Sequence, residues 1–117
     1  MRKKLARVEQ ERLQPLPYQA FKVRSMRIEG NRTVSSIRYP GRGIVKQQAT
    51  AVIDGKTTSL GFVQRNVLVA GTEPLTLQLD STEMRAVKAS GRSITVTTEF
   101  LPNGGTVTTD SRRLKPS

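Results

Sequence analysis

The sequence contains no cysteine, no histidine and no tryptophan, and aromatic residues make up only 4% of its 117 residues. Without cysteine the chain can form neither disulfides nor thiolate metal sites, and it has no thiol nucleophile. Without histidine it lacks the side chain that most often serves as a general base or as a zinc ligand. These absences argue against an enzyme, and we expect a non-enzymatic protein that uses no cofactor and no metal.

Long hydrophobic runs are also missing. No stretch approaches the roughly 20 apolar residues of a membrane-spanning helix. Residues 1–4 are basic, as at the start of a secretory signal, but Glu9, Glu11 and Arg12 stand where such a signal needs an apolar run of about 7 residues. We therefore expect no signal peptide and no membrane partner, and a location in the cytoplasm or within a virion-like assembly.

Positive charge is abundant, and it is unevenly distributed along the chain. The net charge is +11. Residues 1–50 carry twelve Lys or Arg against three acidic residues, a net charge of +9, whereas residues 51–117 carry eight against six, a net charge of +2. This asymmetry predicts a positive field over one part of the surface, which would attract and hold a polyanion.

The length of the chain is that of a single domain, to which we assign two appendages. Residues 1–17 are predicted to form a basic arm, with a short helix over 3–13 that ends at the prolines of 14–17. The arm is either a solvated terminus or a segment that orders on nucleic acid or on a neighbouring subunit. Residues 18–110 are predicted to form a β domain, and residues 111–117 a flexible basic tail.

Two hairpins stand out within the β domain. Residues 21–28 and 33–39 are predicted to be strands that pair across a Gly-Asn turn. Residues 44–53 and 56–63 flank Asp54-Gly55, a dipeptide that favours a type I′ turn because both central residues need a positive φ. Further short strands are predicted over 67–69, 75–79, 93–101 and 106–109.

A helix start and a helix stop are recognisable in the second half of the chain. Asp80 can cap a short helix over 82–89, with Glu83 three residues further on, and Gly91 can end it. Together with six or seven short strands and tight turns, this predicts a mainly β fold. The architecture is predicted to be a small antiparallel barrel, OB or SH3-like, or else a sandwich.

Cationic residues recur along the two strands of the first hairpin and in the loop that follows it. If these strands pair, several cationic side chains share a face, and a phosphate backbone would relieve their repulsion by releasing its counterions. Tyr39 is the candidate for stacking on bases, whereas Phe62 and Phe100 are expected in the core. The candidate nucleic-acid-binding residues are Lys22, Arg24, Arg27, Arg32, Arg38, Tyr39, Arg42 and Lys46.

Three functions are consistent with these features, of which the least supported is a regulatory module for an acidic protein or an anionic small ligand. The first is a non-enzymatic basic β-domain that binds a polyanion, foremost nucleic acid, through phosphate contacts. The alternative is a structural subunit of a larger assembly, such as a bacteriophage virion or tail component, whose partners are identical subunits or assembly neighbours. Its support is the Thr, Ser, Val and Gly richness of the chain and its two extended ends.

Overall fold

A computed structural model describes residues 21–116, so the predicted arm over 1–17 and its helix lie outside the described residues. No helix in this part of the chain is long and apolar enough to cross a membrane. The elements, in chain order, are β1 Lys22–Glu29, β2 Arg32–Tyr39, β3 Gly43–Ile53, β4 Lys56–Val67, β5 Gly71–Gln78, α1 Ser81–Ser90, β6 Ile94–Pro102 and β7 Thr108–Leu114.

The strands form two antiparallel sheets. One has three strands in the order β1-β2-β5, and the other has four in the order β4-β3-β6-β7. Residues from the inner faces of both sheets form two buried hydrophobic clusters, and α1 adds Met84 and Val87 to one of them. The mainly β fold predicted from the sequence is therefore confirmed, and the described strands form no closed barrel.

The local turn and cap signals correspond to the observed elements. The turn between β3 and β4 has φ values of 52° at Asp54 and 78° at Gly55, both positive as a type I′ turn requires. Asp80 caps α1 by accepting a 2.9 Å hydrogen bond from the Glu83 N–H. Gly91 ends the helix in the left-handed region, with φ 69°. These features of the predicted hairpin and helix are confirmed.

A polar bridge joins the two sheets inside the core. Gln47 on β3 is fully buried, and its Nε2 donates hydrogen bonds to Ser35 Oγ at 3.0 Å and to Thr98 Oγ1 at 3.1 Å. Ser35 belongs to the three-stranded sheet, whereas Thr98 lies opposite Gln47 in the four-stranded sheet. This bridge holds the sheets in a specific relative position, because a shift of either sheet would leave buried polar atoms unpaired.

The edges of the two sheets approach each other on both sides. On one side the Asp80 N–H donates to the Leu60 carbonyl at 2.7 Å, and Gly61 lies against Gln78, whose carbonyl oxygen occupies the space a Cβ at position 61 would need. On the other side Arg112 of β7 donates to the Val23 carbonyl of β1. These contacts join the edge strands of the two sheets at single points, β4 to the end of β5 and β7 to β1.

Two segments differ from expectation. The sequence predicts a flexible tail from residue 111, but the chain up to Leu114 forms β7, which pairs with β6 from Thr108 onwards. Backbone pairing and the packing of Leu114 against the core stabilise this strand although most of its residues are polar. The separate strand predicted over 67–69 is absent, because Val67 is the last residue of β4 and the chain then forms a loop.

Candidate functional site

The outer face of the three-stranded sheet carries most of the predicted cationic residues. On β2 every second residue from Thr33 to Tyr39 is buried, so Arg32 and Arg38 alternate to the opposite side and lie on the outer face. The side of β2 that carries Arg32 and Arg38 is therefore the side that faces solvent.

The register between β1 and β2 adds three cationic residues from β1. Lys22 lies directly opposite Arg38, and Arg27 lies opposite the outward-facing Val34. Arg24 is exposed and is the extra residue of a β-bulge in β1, which places it beside the same face. These residues form what we call the cationic face: Lys22, Arg24, Arg27, Arg32 and Arg38.

The third strand, β5, extends the cationic face without adding charge. Its outward residues are the cross-strand partners of those on β2, namely Thr72, Pro74, Thr76 and Gln78. Arg65 of the four-stranded sheet reaches this edge, where its Nη1 donates a 3.1 Å hydrogen bond to the Pro74 carbonyl. The sequence contains no signal for this approach, because it joins residues of two different sheets that only the packing of the sheets brings together.

One carboxylate lies on the cationic face. Glu29 contacts Arg27 Nε at 2.5 Å and Arg32 Nη2 at 3.5 Å, at the end of the sheet where β1 turns into β2. The pKa of Glu29 lies below its ordinary value of 4.5. The main cause is the hydrogen bond from Arg27, and the second is the positive charge of the Arg27 guanidinium group. Among the described residues no carboxylate lies within salt-bridge distance of Lys22 or Arg38, so the opposite end of the face is uncompensated.

Tyr39 does not belong to this surface. It is 3% exposed, and its ring packs in the core at centroid distances of 5.4 Å from Phe100 and 6.4 Å from Phe21. Burial raises the pKa of Tyr39 to about 12, and its hydroxyl has no hydrogen-bond partner among the described residues. The prediction that Tyr39 stacks on bases is wrong for this structure, because its position on β2 has inward parity.

Two further candidates are not on the strands that form the cationic face. Lys46 is exposed on the outer face of the four-stranded sheet, where Glu99 is its cross-strand partner. Arg42 is exposed in the loop between β2 and β3, at the end of the sheet that carries Lys22 and Arg38. The structure therefore separates Lys46 from the other candidates, and it leaves Arg42 at the uncompensated end.

The expectations for the two core phenylalanines have opposite outcomes. Phe100 is fully buried, as predicted. Phe62 is 59% exposed, because it lies opposite the outward-facing Gln48 on β3. A β-bulge at Leu60 changes the phase of β4, so that Leu60 takes the buried position.

The described residues offer cationic and hydrogen-bonding groups but no metal-binding cluster. No three Asp or Glu residues between positions 21 and 116 come together in a way that could hold a metal ion. Comparison with family models, curated proteins and solved structures finds no match to this chain. The fold and the site thus define a two-sheet antiparallel β protein with one cationic sheet face.

Proposed function

We propose that the protein is a non-enzymatic β-domain that binds nucleic acid by contacts between its cationic face and the phosphate backbone. The observation that carries this proposal is the placement of five Lys or Arg residues on one face of a three-stranded sheet, against a single carboxylate. A surface with this charge gains free energy by displacing the counterions condensed on a polyanion.

The dimensions of the cationic face suit a nucleic-acid backbone. Arg32 and Arg38 are six residues apart along β2, which corresponds to about 20 Å of extended chain. Phosphates follow each other at about 3.4 Å per strand along a duplex axis, so the face can lie beside about six of them. Lys22 widens the charged surface across the neighbouring strand.

The chemistry of the cationic face favours binding with little sequence preference. Apart from Glu29, Val34, Pro74 and Gln78, its outward residues are basic or hydroxyl-bearing, and no aromatic ring on β1, β2 or β5 faces outward. Base recognition by stacking requires exposed aromatic side chains. Phosphate contacts position a protein on nucleic acid but do not read its sequence.

Binding of a labelled random-sequence DNA duplex, followed by fluorescence anisotropy, tests this proposal. We expect a variant with serine at four positions of the cationic face to lose most of its affinity: Lys22, Arg27, Arg32 and Arg38. A matched control loses the same charge from exposed positions elsewhere: Lys56, Arg85, Lys88 and Lys115. Equal losses in the two variants, or no loss in the first, would contradict the proposed site.

A second candidate function is that of a structural subunit in a larger assembly. It is favoured by large apolar side chains that are exposed to solvent in and beside the loops after β4 and β6. These residues are Leu68, Val69, Leu101 and Val107. Exposed apolar groups of this kind often mark protein contacts. Light scattering after size-exclusion chromatography distinguishes the two functions, since defined oligomers indifferent to oligonucleotide and to salt support assembly, whereas salt-sensitive complexes of a monomer support nucleic-acid binding.

A further inference from the structure

A groove of about 700 Å³ lies on the outer face of the four-stranded sheet, next to the connection between α1 and β6. It is open to solvent, and its volume falls in the range of roughly 300–1,000 Å³ typical of small-molecule sites. The groove is on the sheet that does not carry the cationic face, so it is a separate feature of the molecule.

Strand register builds the floor of this groove. Thr50 on β3 lies opposite Thr95 on β6, and Thr95 lies opposite Arg113 on β7. The three side chains therefore form a row across the outer face, where neighbouring strands are about 4.8 Å apart. Two hydroxyl groups and one guanidinium group are thus held on a rigid sheet.

An interruption in the sheet opens the groove. The ladder between β3 and β6 ends at the pair Thr50 and Thr95, so Ala51 and Val52 pair with β4 alone. Their free side lines the groove, and the connection after α1 forms the facing wall. That wall is anchored, because the Arg92 N–H donates to the Val87 carbonyl as part of the helix C-cap.

The charge in the groove is positive and uncompensated. Arg92 and Arg113 both line it, and its lining contains no carboxylate. Among the described residues no carboxylate lies within salt-bridge distance of either arginine. Asp54 lines the adjoining cavity of about 410 Å³, which shares Ser90 and Arg92 with the groove, and it does not line the groove itself.

We propose that this groove binds a small phosphorylated ligand, with the phosphate held by Arg92 and Arg113. A guanidinium group offers two parallel N–H donors that match two phosphate oxygens, and the threonine hydroxyls can donate to those that remain. The space is several times larger than one phosphate needs, so the rest of the ligand can lie along the open edge of β3. This role is additional to nucleic-acid binding and does not depend on it.

Titration of the full chain with pyrophosphate, followed by amide NMR shifts, tests the proposal. We expect the largest shifts in residues 90–95 and 50–52, and at least tenfold weaker binding in the double variant Arg92→Gln, Arg113→Gln. The matched control Arg85→Gln, Lys88→Gln removes the same charge from the exposed side of α1 and should keep its affinity within about twofold.

Two further measurements make the outcome decisive. Thr95→Val keeps the size and the charge of the site but removes one donor, and we expect severalfold weaker binding. Citrate, a carboxylate anion, should bind more weakly than pyrophosphate. Equal losses in both double variants, shifts centred on β1 and β2, or tighter binding of citrate would each overturn the proposal.

The nucleic-acid proposal can fail without affecting this one. The cationic-face variant Lys22→Ser, Arg38→Ser leaves every residue of the groove in place, so its pyrophosphate affinity should equal that of the unmodified protein. A loss of pyrophosphate binding in that variant would show that pyrophosphate binds to the three-stranded sheet, and it would refute the proposed phosphate site in the groove.

Discussion

Replacing Lys22 and Arg38 together by serine should reduce the salt dependence of DNA binding by a predictable amount. The two residues are cross-strand partners at the uncompensated end of the cationic face, and no described carboxylate pairs with either. Both side chains have exposed or half-buried positions on the sheet surface, so their removal should not disturb the core.

The magnitude follows from the charges on the face. Five cations and one carboxylate correspond to about four net phosphate contacts, and each contact contributes about −0.9 to the slope of log K against log salt on duplex DNA. The unmodified protein should therefore show a slope of about −3.6, and the variant about −1.8. Between about 50 and 200 mM salt, affinity should fall about 150-fold for the former and about 12-fold for the latter.

Fluorescence anisotropy with a labelled random-sequence duplex, measured at several salt concentrations, gives both slopes. Arg85→Ser, Lys88→Ser serves as the control, since it removes two charges from α1 at exposed positions. Its slope should remain close to that of the unmodified protein. If the slope of the Lys22, Arg38 variant is unchanged, or if the control loses as much, net charge alone and not the cationic face determines binding.

Three other substitutions test the cationic face, the contact between the two sheets and the core. Glu29→Gln should tighten DNA binding and steepen the salt slope by about 0.9, because it removes the one carboxylate on the cationic face. Since the pKa of Glu29 lies below 4.5, the affinity of the unmodified protein should approach that of the variant only below that pH. If anisotropy at pH 7 shows that the variant binds DNA more weakly than the unmodified protein, the expectation is wrong. Gly61→Ala should destabilise the fold by about 1–3 kcal/mol in urea unfolding, because a Cβ there overlaps the Gln78 carbonyl, whereas Gly41→Ala meets no atom and should be nearly neutral. Tyr39→Phe should raise stability by about 1 kcal/mol, since the buried hydroxyl has no described partner. Because the folded-state pKa of Tyr39 is raised to about 12, the unmodified protein should also lose stability as the pH rises from about 10 to 12, and the variant should lose less.

Elements with a local signal were predictable. The Asp54-Gly55 turn, the Asp80 cap and the Gly91 stop act through the backbone conformation of a few neighbouring residues, and each occurs in the structure as expected. The part of strand β7 after Thr109 has no comparable signal, because its polar residues show no apolar alternation. It forms because β6 offers a complete ladder of backbone partners and Leu114 reaches the core.

For the candidate site, the sequence predicted only which residues of the first hairpin lie on the same face of a strand. Arg32 and Arg38 share a face because they are an even number of residues apart on one strand. Tyr39 is one residue further along, so it has the opposite parity and is buried. Lys46 lies on β3, which belongs to the other sheet, and no pattern in the sequence indicates that the chain changes sheets after β2.

The amino-acid sequence by itself determined the hairpins, the caps of α1, the mainly β composition of the fold and the concentration of positive charge in the first half of the chain. Those features depend on the chemistry of residues close together in the chain. Only the tertiary structure decided that β2 pairs with β5, that Arg65 reaches the edge of the cationic face, and that Arg92 and Arg113 line one groove. These arrangements join residues distant in sequence, so they follow from which strands pair and how two sheets pack, which no local pattern specifies.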